Sequence, residues 1–183
     1  MEKTLAVINQ MVELGIIRDY AIGGGMASVF YMEPVLTYDL DIFCTLPGEE
    51  KGLNILAPIY KWADRAGYKT FHEHLLIEGL PVQFLPVYND LVKEAVENAV
   101  EKKIGLVKTR VVAPEYLVAI MLQTSSLWQC RPKGLWPSKR PRKKDIINAG
   151  KMLSEAKINK RALLKILKKH GLLTKFKALD GPL

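Results

Sequence analysis

The chain has 183 residues, 49% hydrophobic and 25% charged, enough to bury a sizeable core but short for two independent domains. No apolar run approaches the roughly 18 residues of a membrane span, and Met1-Glu2-Lys3-Thr4 lacks the cationic and apolar regions of a secretion signal, so a cytoplasmic protein with no membrane partner is expected. The net charge of +8 is uneven: residues 131–183 hold 16 Lys/Arg against three acids, whereas residues 1–130 hold 11 against 16. The basic half is suited to a polyanion, although a basic helix face is often only solvated surface.

In chain order, Leu5, Ile8, Met11 and Val12 recur at helical spacing and predict an amphipathic helix over 2–14, stopped by Gly15. A short strand is expected over 16–22, running into Gly23-Gly24-Gly25, with a helix over 26–32 until Pro34 interrupts. Residues 38–44 alternate, with Tyr38, Leu40 and Ile42 on one side and Asp39, Asp41 and Phe43 on the other, as in a half-buried strand. A helix over 52–66 precedes two β-like runs, 68–77 and 82–88, joined by Glu78-Gly79-Leu80-Pro81. A helix over 89–103, a strand over 105–112 and a helix from Pro114 to about Ser125 follow. Residues 126–144 hold three prolines, two tryptophans, seven Lys/Arg and no acid, a long basic loop, and a last helical part starts at the N-cap Asn159 and stops at Gly171.

Three glycines between a strand and a helix let backbone approach a ligand with no Cβ in the way, a natural phosphate cradle, although tight glycine turns are common for purely structural reasons. Asp39 and Asp41, two apart on a strand, share a face, and their mutual repulsion is relieved by a cation such as Mg²⁺, which prefers oxygen ligands. The alternative is a solvated strand face. Cys44 and Cys130 lack CxxC spacing and read as a buried small side chain and a loop thiol. His72 and His74 alternate on a strand, but two histidines fall short of a zinc site and are read as structural.

Ile22-Gly23-Gly24-Gly25, thirteen residues, then Asp39-Leu40-Asp41-Ile42, preceded by Thr37, resembles the signature of the polymerase β-like nucleotidyltransferases. The chain is most similar to the small bacterial and archaeal members grouped with abortive-infection and toxin-antitoxin systems, through Gly79-Leu80-Pro81-Val82-Gln83-Phe84-Leu85-Pro86-Val87, Pro114-Glu115-Tyr116-Leu117-Val118-Ala119 and the late Lys144-Asp145. The resemblance is strong over 18–44 and extends in weaker form to about 125 and over 143–173. It implies an α+β fold with a mixed β-sheet flanked by helices: a nucleotidyltransferase core at 1–113 and a C-terminal helical extension at 114–183 carrying the basic loop.

The activity implied is Mg²⁺-dependent transfer of a nucleoside monophosphate from a nucleoside triphosphate to a hydroxyl acceptor. Gly23, Gly24, Gly25 and Ser28 would hold the nucleotide, and Asp39 and Asp41 the metal. The family's third carboxylate falls at Gln83, which cannot act as a carboxylate base; Glu78 at the preceding turn and Asp90 before the next helix are the acids nearby. Arg131, Lys133, Lys139, Arg140, Arg142, Lys143 and Lys144, with Trp128 and Trp136 interleaved, suit an RNA acceptor. A toxin-like member would have an antitoxin partner, and the alternative to an enzyme is a catalytically degenerate module that binds nucleotide and RNA.

Overall fold

The computed structural model describes residues 1–34, 36–48, 55–125 and 143–179. They form two compact units, Met1–Phe30 with Pro34–Ala113, and Tyr31–Glu33 with Pro114–Leu183.

In the first unit, α1 (Glu2–Glu13) buries Leu5, Ile8 and Met11 along one stripe. The next strand, β1 (Asp19–Ile22), starts later than the sequence pattern suggests, because the amides of Gly15, Ile16 and Ile17 bond back to Val12 and Met11 and close the helix. The helix expected over 26–32 is instead the single turn α2 (Gly24–Ser28), which begins inside the glycine run. Next come β2 (Leu40–Thr45) and α3 (Ala57–Arg65).

Two expected β runs resolve into three strands, β3 (Lys69–Phe71), β4 (His74–Ile77) and β5 (Leu80–Pro86). His72, at φ +54°, reverses the chain between the first two. Glu78 and Gly79, at φ +51° and +79°, form a two-residue turn between the second and third, so Leu80 and Pro81 belong to the sheet and not to the connection. The helix expected to reach residue 103 ends as α4 (Asp90–Glu97), where Asn98 Nδ2 donates to the Glu94 carbonyl at 2.9 Å. The residues beyond it form β6 (Val100–Ile104), a hairpin with β7 (Val107–Val111). The two residues Gly105 and Leu106 join them.

The strands build a seven-stranded mixed sheet in the order β3-β4-β5-β2-β1-β7-β6, parallel at β2–β5 and β1–β7 and antiparallel elsewhere. Period-two alternation puts Leu40, Ile42, Cys44, Leu75, Ile77, Val82 and Phe84 on one face, all of them buried. α1 lies on that face: Tyr20, in register with Cys44, sends its hydroxyl to Asn9 Oδ1 of α1 at 2.7 Å. Asp39, Asp41, Gln83 and His74 therefore take the opposite face.

The second unit is helical. α5 (Pro114–Thr124) buries Leu117 through Leu122 and packs on α6 (Lys143–Glu155) and α7 (Lys160–Lys169), and α8 (Leu173–Leu179) packs on α7. Asn159 caps α7 by accepting from the Ala162 amide at 3.1 Å, while its own amide donates to Glu115 Oε1 at 2.7 Å. Among the described residues no helix is long and apolar enough to cross a membrane. The fold is α+β, a mixed sheet flanked by helices with a helical C-terminal region.

Burial pushes the Cys44 thiol from 9.0 up to about 12, which cuts its neutral-pH thiolate fraction roughly a thousandfold. Iodoacetamide should leave the Cys44 peptide unmodified in the native protein and alkylate it fully in denaturant, as read by peptide mass spectrometry. Because the unfolded thiol ionises at the lower pH, this group's contribution to stability is complete below about 9 and falls as the pH rises from there towards 12.

Candidate functional site

The glycine run is closely covered by side chains from β2 and from the segment just before it. Gly23 still belongs to the ladder, its amide donating to the Asp41 carbonyl at 2.9 Å, and a Cβ there would overlap the Phe43 ring. Gly24 adopts φ +56°, and a Cβ on it would overlap Asp41 Oδ2. At Gly25 a Cβ would meet Thr37 Oγ1 at 3.1 Å. The left-handed conformation and the close approach at Gly24 both require glycine.

Thr37 also fixes the other carboxylate. Its hydroxyl donates to Asp39 Oδ1 at 3.0 Å, while Asp39 Oδ2 lies 3.7 Å from His74 Nε2. The Asp39 side chain is 42% exposed and the His74 side chain 19%, so the pair sits at the boundary with solvent. Asp41, half-buried, pairs in register with Gln83 of β5. Continuing the β4–β5 register one step beyond Leu75–Val82 sets His74 on the far side of Gln83, and the β3–β4 register sets Phe71 beside His74. One row across the sheet therefore reads Gly23, Asp41, Gln83, His74, Phe71.

This arrangement departs from the sequence expectation at His74. The turn at His72 breaks the strand on which the two histidines were expected to alternate, and of the two only His74 comes close to Asp39. No periodicity in the sequence carries that contact, because it depends on the register of two hairpins.

The donor set suits a hard cation: two carboxylates and an amide carbonyl fit Mg²⁺, which takes oxygen ligands and keeps waters and phosphate oxygens in its shell. Among the described residues no three His, Cys, Asp or Glu side chains are grouped to hold a metal by themselves. A cation here would depend on its own water and substrate oxygens for the rest of its shell.

Among solved structures, the chain is similar to an antigenic nucleotidyltransferase-like protein from Paracoccidioides brasiliensis, with a TM-score of 0.54 and 12% identity over 100% of this chain and 93% of that one. The chain has a nucleotidyltransferase-like fold. Weaker overlaps occur with ANT(2'')-Ia in complex with adenylyl-2''-tobramycin, at a TM-score of 0.49 and 15% identity over 94% and 98% of the two chains, and with the solution structure of that antibiotic-resistance factor, at 0.47 and 15% over 98% and 97%. No family model matches the chain, and no curated protein sequence matches it.

Within the nucleotidyltransferase-like fold the remaining expected residues are dispersed. Ser28 is fully buried and donates to the Gly25 carbonyl at 2.6 Å, so its hydroxyl serves the turn. Glu78 sits in the β4–β5 turn, where its carboxylate accepts from the Tyr68 hydroxyl at 3.3 Å in an exposed position. Asp90 opens α4 beyond the other end of β5, where Asn89 provides the cap by accepting from the Val92 amide at 2.9 Å. In the helical unit Lys144 is exposed on α6, and Asp145 Oδ2 accepts from Thr124 Oγ1 at 2.7 Å. Arg131, Lys133, Lys139, Arg140 and Arg142 lie outside the described residues, as does the side chain of Lys143.

Gly24→Ala should lower stability by at least about 1 kcal/mol from its left-handed backbone alone, with the overlap on Asp41 adding to that. Gly150→Ala, in the middle of α6 with open space around its Cα, should instead stabilise by about 0.5 to 1 kcal/mol. Urea midpoints of the two variants check both signs.

Proposed function

We propose that this protein transfers a nucleoside monophosphate from a nucleoside triphosphate to a hydroxyl acceptor, with Mg²⁺ held by Asp39 and Asp41. The observation that carries the reading is the Asp41 carboxylate lying directly against Gly24, with the Thr37–Asp39 pair against Gly25. A backbone-lined surface for phosphates and two carboxylates for a cation are thereby one site, as a metal-bridged triphosphate needs. The nucleotidyltransferase-like fold supports this reading.

Bound Mg²⁺ would supply electrostatic stabilisation of the charge that builds up on the oxygens around the reacting phosphorus. The chain's own residues set the stage for it. The glycine backbone admits the phosphates, Thr37 holds Asp39 in place, and the Gln83 amide orients a hydroxyl or water beside Asp41 without taking its proton. In the transfer, the acceptor oxygen bonds to the α-phosphorus and the bond to the bridging oxygen breaks. Pyrophosphate leaves with the electron pair, and the hydroxyl proton passes to water.

We assign this chemistry to residues 1–113, with residues 114–183 as a separate, basic helical region. The basic run from Arg131 to Lys144 suits an RNA contact, which puts RNA in the acceptor panel, and the toxin-like role, with its antitoxin partner in the cytoplasm, is favoured by the sequence motifs. A second reading, a nucleotide-binding module without turnover, is favoured by Gln83, which sets a neutral amide beside Asp41.

Incubation with each labelled nucleoside triphosphate, Mg²⁺ and an acceptor panel including tRNA should give incorporation that Asp39→Asn or Asp41→Asn lowers by about a hundredfold or more, the scale for losing a group that stabilises transition-state charge. Gln83→Asp should lower the Mg²⁺ concentration needed for half-maximal rate. Triphosphate binding that needs Mg²⁺ but yields no product would establish the module reading, and absence of any such binding by calorimetry would overturn both.

A further inference from the structure

On the carboxylate face of the sheet, at its β3–β4 edge, is a cavity of about 380 Å³ lined by Lys69, Thr70, Phe71, His74, Leu76 and Pro81. Registers place it. Lys69 pairs with Leu76, Leu76 with Pro81, and one step before the Leu40–Val82 pair Pro81 comes alongside Asp39. The cavity thus begins where Asp39 ends, on the side of the carboxylates away from the glycines.

Its lining is unusual beside two acids. Phe71 is 64% exposed and Leu76 40%, an apolar surface in water next to charged groups. At the inner wall His74 Nε2 is buried with no hydrogen-bond partner, 3.7 Å from Asp39 Oδ2. A buried nitrogen without a partner carries a desolvation cost that a bound hydroxyl would remove. Lys69 is the only lysine or arginine in the lining.

We infer that this cavity is the acceptor subsite, and that the acceptor is a small molecule with a flat apolar body and a hydroxyl group. The inference rests on the transferase reading above. In-line displacement puts the attacking and leaving oxygens on opposite sides of the phosphorus, and the cavity and the glycine turn lie on opposite sides of Asp41 in the sheet. The apolar body packs on Phe71, Leu76 and Pro81, and the hydroxyl meets His74 Nε2 beside Asp39. The volume matches a ligand of drug-like size. A polyanion finds a single lysine here, so RNA is a poor occupant, and a polycation such as tobramycin finds no carboxylate in the lining and would cover Phe71, Leu76 and Pro81 with polar groups.

The probe is naphthylethanol, titrated into the full-length protein without nucleotide and followed by backbone amide NMR. Shift changes should be confined to residues 69–76 and the neighbouring part of β5. Leu76→Glu should weaken binding by about tenfold or more, because a carboxylate in an apolar lining must be desolvated, and Phe71→Ala should weaken it less. Both side chains are exposed, so unchanged far-UV circular dichroism serves as the folding control. In transfer assays Leu76→Glu should raise the acceptor KM and leave the nucleotide KM unchanged. Shifts elsewhere, or a Leu76→Glu variant that binds like the wild type, overturn the inference, as does transfer to RNA or tobramycin with a KM indifferent to Leu76→Glu. Probe binding at the cavity in a protein that binds no triphosphate overturns the transferase reading instead and leaves the cavity as a ligand site.

Discussion

The architecture of the site turns on the contact between the Asp41 carboxylate and Gly24, where a charged oxygen occupies the volume any other residue would need for its Cβ. Bringing a strand side chain this close to the first turn of α2 requires a residue that has no side chain and accepts a left-handed φ. The neighbouring contacts follow in order. Phe43 covers Gly23, Asp41 covers Gly24 and Thr37 covers Gly25, so β2 and the segment before it match the glycine run residue by residue. The backbone bond from the Gly23 amide to the Asp41 carbonyl fixes the register that makes this matching hold.

Electrostatics explains the composition of the row that crosses the sheet. Two carboxylates on one face of a strand repel each other, and the structure answers with the Thr37 hydroxyl on Asp39 and an imidazole close to its other oxygen. A third carboxylate at position 83 would stand in register with Asp41 and add a like charge that only a bound cation offsets. The neutral amide lightens that repulsion in the metal-free protein and weakens the attraction for a cation by the same logic. The two effects are opposite faces of one substitution, so a site built this way would lean more heavily on phosphate oxygens to keep a metal.

Much of the fold was legible because its signals are local. The stripe of Leu5, Ile8 and Met11, the alternation through Asp39–Phe43, and Pro114 at the start of α5 each report on a few neighbouring residues, and each element formed where expected. Where the reading departed, a turn was at fault. The positive φ at His72 splits one strand into two, and Asn98 stops α4 so that Val100–Ile104 pairs as β6. Gly105, at φ +56° between the β-branched Ile104 and Val107, was the turn signal that could have separated the two. The same division applies to the site. Gly23–Gly25 and Asp39–Asp41 lie within one short strand-turn-strand unit and were read from spacing, whereas His74 is brought to Asp39 only by the registers of β4 with β5 and β5 with β2.

Those registers also give the site a direction. Along the row from β2 to β3 the surface passes from a carboxylate at Asp41, beside the glycine turn, through an amide and an imidazole to an aromatic ring at Phe71. On the proposed reading a phosphate would lie at the glycine end, and an apolar group at the other, where Phe71 and Leu76 stand exposed. A substrate pair with one anionic and one apolar partner would be sorted by this gradient before any specific hydrogen bond formed. The carboxylates lie between the two ends, so the place where the partners would meet is also the place where a cation would sit, and the polarity of the sheet surface alone would bring reacting groups towards it.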